Sequence, residues 1–457
     1  MFTDEKWSSS KNWFIAAVFW IIVGMTMGLL TATKQIWPEL LNNRWFTYGH
    51  VRSAHVMLVI YAWLSMAYVG SMFYMIPKLA KTKVYSEKLG NFSLVFYNIV
   101  ILEGFFALLL GQTEVIEYGE FPLWVDVQLL IAIGLVGYNL FKTVGQRTEK
   151  MLYVSLWYFL GSLLWLPLTW IVGNFPARWI PSGVQQGLMG WFLGHNAIGL
   201  WMTTVGVGQI YYLLPKLTGR PLYSHQLSMI GFWAIATFYV WNGPHHLMNG
   251  PIPGWISKAG VIPSIVLLIP VWAVLANFWG TMKGSWAQTR TSVPLRFTMA
   301  GTIFYLFACL QGPLQALPSV SSVIKFTHWT VGHAHMGPFG AFSFTSFAAI
   351  YYILPKIVGR EMFSKRAMEA HFWFSTVGFL VFAFSLWIAG IVQGFAWIEG
   401  VPFLQTVLMM EPYVQGRAIG GTMMYVAQFF LAWNMYKTIK MAKIEKKQQA
   451  QQQAATA

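Results

Sequence analysis

Apolar residues in this 457-residue chain fall in long unbroken runs separated by short polar stretches, not in the alternation of half-exposed helices or strands. Twelve runs can be drawn, at 13–32, 52–77, 92–111, 123–141, 151–173, 187–214, 226–243, 259–280, 295–312, 329–354, 371–392 and 418–436. Runs of about twenty residues are long enough to cross a bilayer as helices. The pattern predicts an all-α polytopic membrane protein with twelve transmembrane helices. The first run follows charged and polar residues and has no small-residue cleavage site, so it reads as a retained helix. Residues 1–444 read as one domain, with no linker dividing them, and 445–457 as a polar, disordered cytoplasmic tail.

Three of the runs resemble one another at their ends: GSMFYMIPKLAKTKVYS at 70–86, GQIYYLLPKLTGRPLYS at 208–224 and AAIYYILPKIVGREMFS at 348–364. They close the second, sixth and tenth helices, so the period is four helices. A long fixed period implies a repeated structural unit, here three pseudo-symmetric four-helix arcs. Upstream of the prolines Pro77, Pro215 and Pro355 stand His55, His195 and the pair His333 and His335. Each lies about 30 Å from its proline at 1.5 Å per residue, which puts all four at one level near the external face.

Charge follows the same topology. The net charge is +15, but only seven of the 30 Lys and Arg fall in the loops on one side: Lys34, Arg44, Arg52, Arg178, Lys258, Lys325 and Arg417. The remainder lie on the other side, the bias expected of cytoplasmic loops. Both termini are therefore expected in the cytoplasm, and the basic charge implies no nucleic-acid partner. With the single cysteine Cys309 there is no intrachain disulfide, and no C-x-x-C-H for attaching a haem covalently.

The candidate chemistry lies in FTHWTVGHAHMGPFG at 326–340. His333 and His335 project about 200° apart on a helix, so each can reach a different planar cofactor. Haem iron accepts an axial histidine, and polar groups at membrane depth are usually functional; two packing histidines are the alternative. His195 with the pair His245–His246 supplies three imidazoles at similar depth, a set that suits copper, zinc or iron. Gly243–Pro244 can break helical regularity and let the adjacent pair converge. Tyr239 stands six residues before His245, with Ser228 and His225 on about the same helix face below it and Tyr211 near the foot of the sixth helix. These form either a proton ladder or hydrogen-bonding glue between helices. The loop GQTEVIEYGEFPLWVD holds Glu114, Glu117, Glu120 and Asp126, either a hard-cation site or a plain acidic loop. Glu103 stands alone in the third helix.

The motifs RSAH, GHNAIG, YVWNGPHH and THWTVGHAH, on helices 2, 6, 7 and 10, resemble the catalytic subunit of the haem-copper oxidases, and among them the cbb3-type cytochrome c oxidases most. The resemblance spans about residues 13–437. It implies a respiratory terminal oxidase that reduces O2 to water with electrons from cytochrome c, coupled to proton uptake and pumping, in a bacterial inner membrane. His55 and His335 would ligate a low-spin haem b, His333 a high-spin haem b, and His195, His245 and His246 a copper ion. Tyr239, linked covalently to His195, would supply an electron and a proton, with protons arriving past Tyr211, Ser228 and His225. Glu117, in EYGE, becomes a calcium candidate. A membrane-anchored c-type cytochrome is the expected electron donor, since the chain has no haem c motif. Two positions depart from the family: Gln311 and His328 stand where acidic residues are usual. Rival readings are a nitric oxide reductase, whose sixth-helix glutamate corresponds to Gly199 here, and a haem-free proton-coupled transporter.

Overall fold

The computed structural model describes residues 4–181 and 183–456, and among them there is no strand. Ten helices are long and apolar enough to cross a membrane: α1 (Ser8–Lys34), α2 (Tyr48–Leu79), α3 (Glu87–Leu109), α4 (Leu123–Gly145), α5 (Val154–Trp179), α6 (Val184–Thr218), α8 (Gly254–Thr281), α9 (Val293–Gln315), α10 (His328–Val358) and α11 (Lys365–Ile398). The two other apolar runs lie on α7 (His225–Phe238) and α12 (Glu411–Thr456). The regular part of α7 has 14 residues, about 21 Å, short of the roughly 30 Å of hydrocarbon. It continues as two 3-10 segments, Tyr239–Trp241 and Gly243–Leu247. The helix loosens there because Pro244 cannot donate a backbone hydrogen bond. The expected disordered tail is helical instead: α12 runs on to Thr456. Gln, Ala, Lys and Glu are good helix formers, so the polar segment prolongs a helix already nucleated.

The fourfold-helix period takes a physical form that repeats three times. The serines that cap α3, α7 and α11 are Ser86, Ser224 and Ser364. Each is gripped through its backbone by a buried asparagine, Asn139 of α4, Asn277 of α8 or Asn434 of α12. The asparagine oxygen accepts from the serine N–H at 3.2, 3.0 and 2.9 Å. Its amide donates to the serine carbonyl at 2.8, 2.7 and 2.8 Å. One turn further on, Thr143, Thr281 and Thr438 accept from the N–H of Tyr85, Tyr223 and Phe363. Each latch satisfies loop backbone groups that would otherwise be buried without partners, at about 1–3 kcal/mol each. It ties the third helix of an arc to the fourth.

The repeat helices α2, α6 and α10 are the most buried of the spans. Pro77, Pro215 and Pro355 lie inside them, two or three residues before their ends. All three helices widen into π-helix in their middle, at Leu58–Leu64, Ile198–Thr203 and Met336–Ser343. A π turn frees a carbonyl from the ordinary ladder, and such turns cluster at functional sites. Ser65 and Ser343 recapture those of Ile60 and Pro338, at 2.9 and 2.8 Å. The same serine hydroxyls accept from Trp201 and Trp63, at 2.9 and 2.8 Å, joining the three π segments across the centre of the molecule. Each of these three π segments begins three residues after a histidine, His55, His195 or His333. The rigid crossing thus lies one turn from the candidate site.

Candidate functional site

On α10 the i, i+2 pair divides as the helical angle requires. His335 faces His55 of α2, with ring centroids 6.1 Å apart and planes within 18°. Two imidazoles on one metal, with bonds of about 2 Å and about 1 Å from nitrogen to ring centre on each side, place their centroids about 6 Å apart. Both tautomers are set by backbone. His55 Nδ1 donates to Gly24 O and His335 Nδ1 to Val331 O, each at 2.8 Å. That leaves both Nε2 lone pairs available to a metal, the usual arrangement for ligating histidines. A Cβ on Gly28 would lie 2.5 Å from the His55 ring, so only glycine lets α1 pass so close. The cleft around the pair is lined by Trp63, Phe339, Phe382 and Arg417. Arg417 is buried, donates to Gln35 Oε1 at 2.6 Å, and keeps an unpartnered Nε. A buried cation with an unpartnered donor suits an anionic group on a planar cofactor.

His333, on the other face, donates from Nδ1 to Gln311 Oε1 at 3.2 Å, and its ring lies parallel to Trp329. Its remaining nitrogen is likewise free. His328, which also departs from the family pattern, lies at the start of α10, where its backbone N–H donates to Gln393 Oε1 at 3.1 Å.

The second cluster is built on α6 and the loosened end of α7. His195, His245 and His246 bring ligand atoms within 4.8 Å of one another, the only such group of three among the described residues. His245 and His246 converge because they sit in the 3-10 turn Gly243–Leu247, with centroids 4.4 Å apart. Ser264 accepts from His245 Nδ1 at 2.6 Å while its own hydroxyl donates to Gly260 O at 2.7 Å, so the free nitrogen of His245 is Nε2. His246 stacks flat on Trp191 at 3.7 Å. The buried atoms His195 Nδ1 and His246 Nε2 have no hydrogen-bond partner. Orphaned buried nitrogens are costly, and three imidazoles left with free lone pairs fit a transition metal such as copper.

Tyr239 packs on His195, with ring centroids 4.5 Å apart. The ring occupies the space of a missing side chain: a Cβ on Gly199 would lie 1.8 Å from Tyr239 Cε1. Tyrosine at 239 and any larger residue at 199 therefore exclude each other in this packing.

The structure gathers the ladder residues unevenly. Tyr211 and Ser228 are fully buried, and Asn277 reaches both, donating to Ser228 Oγ at 2.9 Å and to Tyr211 Oη at 3.4 Å. His225 is exposed and lies against Trp157, at 5.7 Å. The same Asn277 is the latch of the second arc. Sequence reasoning missed it, although Asn-x-x-x-Thr recurs at 139–143, 277–281 and 434–438.

The acidic loop is held by two arginines. Arg52 pairs with Glu117 and Glu120, and Arg178 with Asp126 and, at 2.5 Å, with Glu114. Burial pushes the Glu120 carboxyl up to about 7, against the opposing pull of Arg52. The apparently solitary Glu103 accepts from Gln128 Nε2 at 3.0 Å.

Comparisons with known proteins agree with this architecture. The family model described as cytochrome C and quinol oxidase polypeptide I matches residues 9–423. The cbb3-type cytochrome c oxidase subunit CcoN1 of Stutzerimonas stutzeri is 33% identical, over 96% of this chain and 96% of its own. The cytochrome c oxidase subunit 1 homolog of Agrobacterium tumefaciens is 34% identical, over 94% of this chain and 83% of its own. The fold matches that of a heme-copper terminal oxidase dimer solved by cryo-EM, with a TM-score of 0.77 and 16% identity, covering 94% of this chain and 84% of that one. Such membership implies haem and copper, marks the chain as a multi-pass inner-membrane protein of bacterial type, and leaves the transporter reading without support. With its central helices, its histidine clusters and its relatives in agreement, the chain belongs to the cytochrome c and quinol oxidase polypeptide I family and is the catalytic subunit of a terminal oxidase.

Proposed function

We propose that the chain is the O2-reducing subunit of a cbb3-type cytochrome c oxidase, with the two histidine clusters dividing the cofactors between them. His55 and His335 would hold a low-spin haem b, His333 a high-spin haem b, and His195, His245 and His246 a copper ion. The supporting observation is the trio within 4.8 Å, with buried unpartnered nitrogens and a phenol packed against it. When bound, the haems and copper supply the electron transfer and the reduction of dioxygen.

The residues of the chain orient and protonate. Backbone carbonyls and Ser264 lock the imidazole tautomers, so no reorganisation is needed when a metal is held. Tyr239, linked to His195 in this reading, offers a phenol proton and an electron beside the trio. Tyr211 and Ser228 form the lower part of the proton path. The Asn277 amide, donating to both oxygens, turns both hydroxyl protons away from itself, and His225 stands at the mouth. Ser228 and Tyr239 are 11 residues apart on one helix, about 16 Å, a gap that water must bridge. Both termini face the cytoplasm, and a membrane-anchored c-type cytochrome delivers the electrons. The calcium expectation at Glu117 carries no step, because the carboxylate is already neutralised by Arg52. Gly199 separates the oxygen reading from the nitric oxide one: a glutamate there would overlap the Tyr239 ring.

Metal and haem analysis of the purified complex tests the assignment, with copper and two haems b expected in this subunit. Tyr239→Phe should abolish oxygen reduction with both haems retained. Three irons without copper, or full oxidase turnover by Tyr239→Phe, would replace the oxygen assignment with the nitric oxide one.

A further inference from the structure

The last helix carries two opposite faces along its final turns. Leu431, Asn434, Thr438 and Ala442 are buried against the body, through the third latch. On the opposite side, Phe429, Trp433, Tyr436, Lys440, Lys443 and Lys447 follow one another at spacings of four and three residues, within about 80° of arc. All six are exposed, the three aromatic residues by 46%, 44% and 58%. The stripe changes abruptly from aromatic to cationic between Tyr436 and Lys440, about 6 Å of helix rise. That is the order of groups met on leaving a bilayer: hydrocarbon, an aromatic belt, then the charged headgroups.

Several cations outside the hydrocarbon are paired: Lys81 with Glu149 at 2.6 Å, Lys88 with Asp4 at 2.8 Å, Arg296 with Glu369, and Arg360 with Glu445 at 2.9 Å. The Arg360–Glu445 pair links α12 to the segment that follows α10. Among the described residues, no acidic group pairs with Lys440, Lys443 or Lys447, and Lys440 Nζ stands 5.8 Å from the Tyr436 ring centre. The helix thus holds three cations with no acidic partner among the described residues directly beyond an aromatic surface.

The geometry points to a binding site for an anionic phospholipid, its acyl chain along Phe429 and Trp433 and its phosphate between Lys440 and Lys443. Phosphatidylglycerol meets the charge requirement, and a zwitterionic lipid does not. The site would anchor the outer edge of the third arc to the leaflet on the lysine-rich side.

The test uses the whole complex in phosphatidylcholine vesicles doped with a few mole per cent of photoactivatable phosphatidylglycerol, or with the matching phosphatidylcholine probe. Adducts are mapped by mass spectrometry to the peptide containing Trp433 and Tyr436. The phosphatidylglycerol probe should label it more heavily, with the preference falling on the order of fivefold for each lysine removed. Lys440→Gln/Lys443→Gln/Lys447→Gln should bring the two probes level, and the triple arginine variant should keep the preference. Equal labelling in the wild-type complex, an unchanged preference in the glutamine variant, or the same loss on replacing Lys81 and Lys83 would each overturn the proposal. So would a wild-type peptide that neither probe reaches, which would assign the face to a protein neighbour.

Discussion

Replacing Gly199 by alanine adds one methyl group at the most crowded glycine of the site. Its Cβ would lie 1.8 Å from Tyr239 Cε1 and 2.1 Å from Cδ1 and Cζ. Carbon atoms settle at about 3.5–4.0 Å, so the two groups must separate by roughly 1.5–2 Å. Backbone motion of α6 is resisted by the π-segment hydrogen bonds of Ser65 and Trp201. The phenol ring therefore gives way and loses its packing on His195. Overpacking of this kind costs about 1–3 kcal/mol of stability, and displacing a reacting group by about 1 Å costs on the order of 100-fold in rate. We expect Gly199→Ala to assemble both haems and copper, with nearly unchanged haem spectra, while oxygen uptake falls about 100-fold. Gly208→Ala, whose Cβ would meet Phe159 at 2.8 Å on the same helix, supplies the packing control and should lose stability without comparable loss of rate. Gly137→Ala, with open space around its Cβ, should be neutral or stabilising by up to about 1 kcal/mol. Full oxygen uptake by Gly199→Ala, with Tyr239 unmoved, would refute the reasoning.

His333→Ala should remove the high-spin haem signal and largely retain the low-spin one, and His55→Ala the reverse; equal loss of both haems from either folded variant would count against separate ligation. Ser228→Ala should slow turnover under proton-limited conditions with haem spectra unchanged, whereas Asn277→Leu should also lower thermal stability by about 2–4 kcal/mol, because it breaks the latch; an unaltered rate for Ser228→Ala would reduce that residue to helix glue. For Glu120, a carboxyl raised to about 7 is neutral below that pH and charged above it. The native state then holds an extra proton between the ordinary carboxylate range and pH 7, so this group's contribution to stability falls as pH rises through that window. An infrared band of a protonated carboxylic acid should grow as pH drops from about 8 to 6 and be missing in Glu120→Gln; a band that is pH-independent there would contradict the assignment.

Twelve apolar runs, the four-helix period and the level of the histidines are legible in the chain, because hydrocarbon forces every backbone group to be satisfied locally. Helix geometry alone then turns His333 and His335 to opposite faces. The same local logic misjudged the tail, where composition was weighed as solvation rather than as continuation of α12. It also set Glu103 apart, whose partner Gln128 is 25 residues away on the neighbouring helix.

Tertiary structure decided what no spacing encodes. The convergence of His245 and His246 depends on a 3-10 turn, and the tautomers of His55, His335 and His245 depend on acceptors supplied by Gly24, Val331 and Ser264. Arg52 and Arg178 answer the acidic loop only once the chain has folded around it. Asn277 became visible as both latch and neighbour of Tyr211 and Ser228 through its contacts in three dimensions. Periodicity along a chain reports which face of a helix is apolar; it carries no distance between helices. Hydrogen bonds and close glycine contacts act over a few ångströms, so the partners of each functional side chain are set only when α2, α6 and α10 meet.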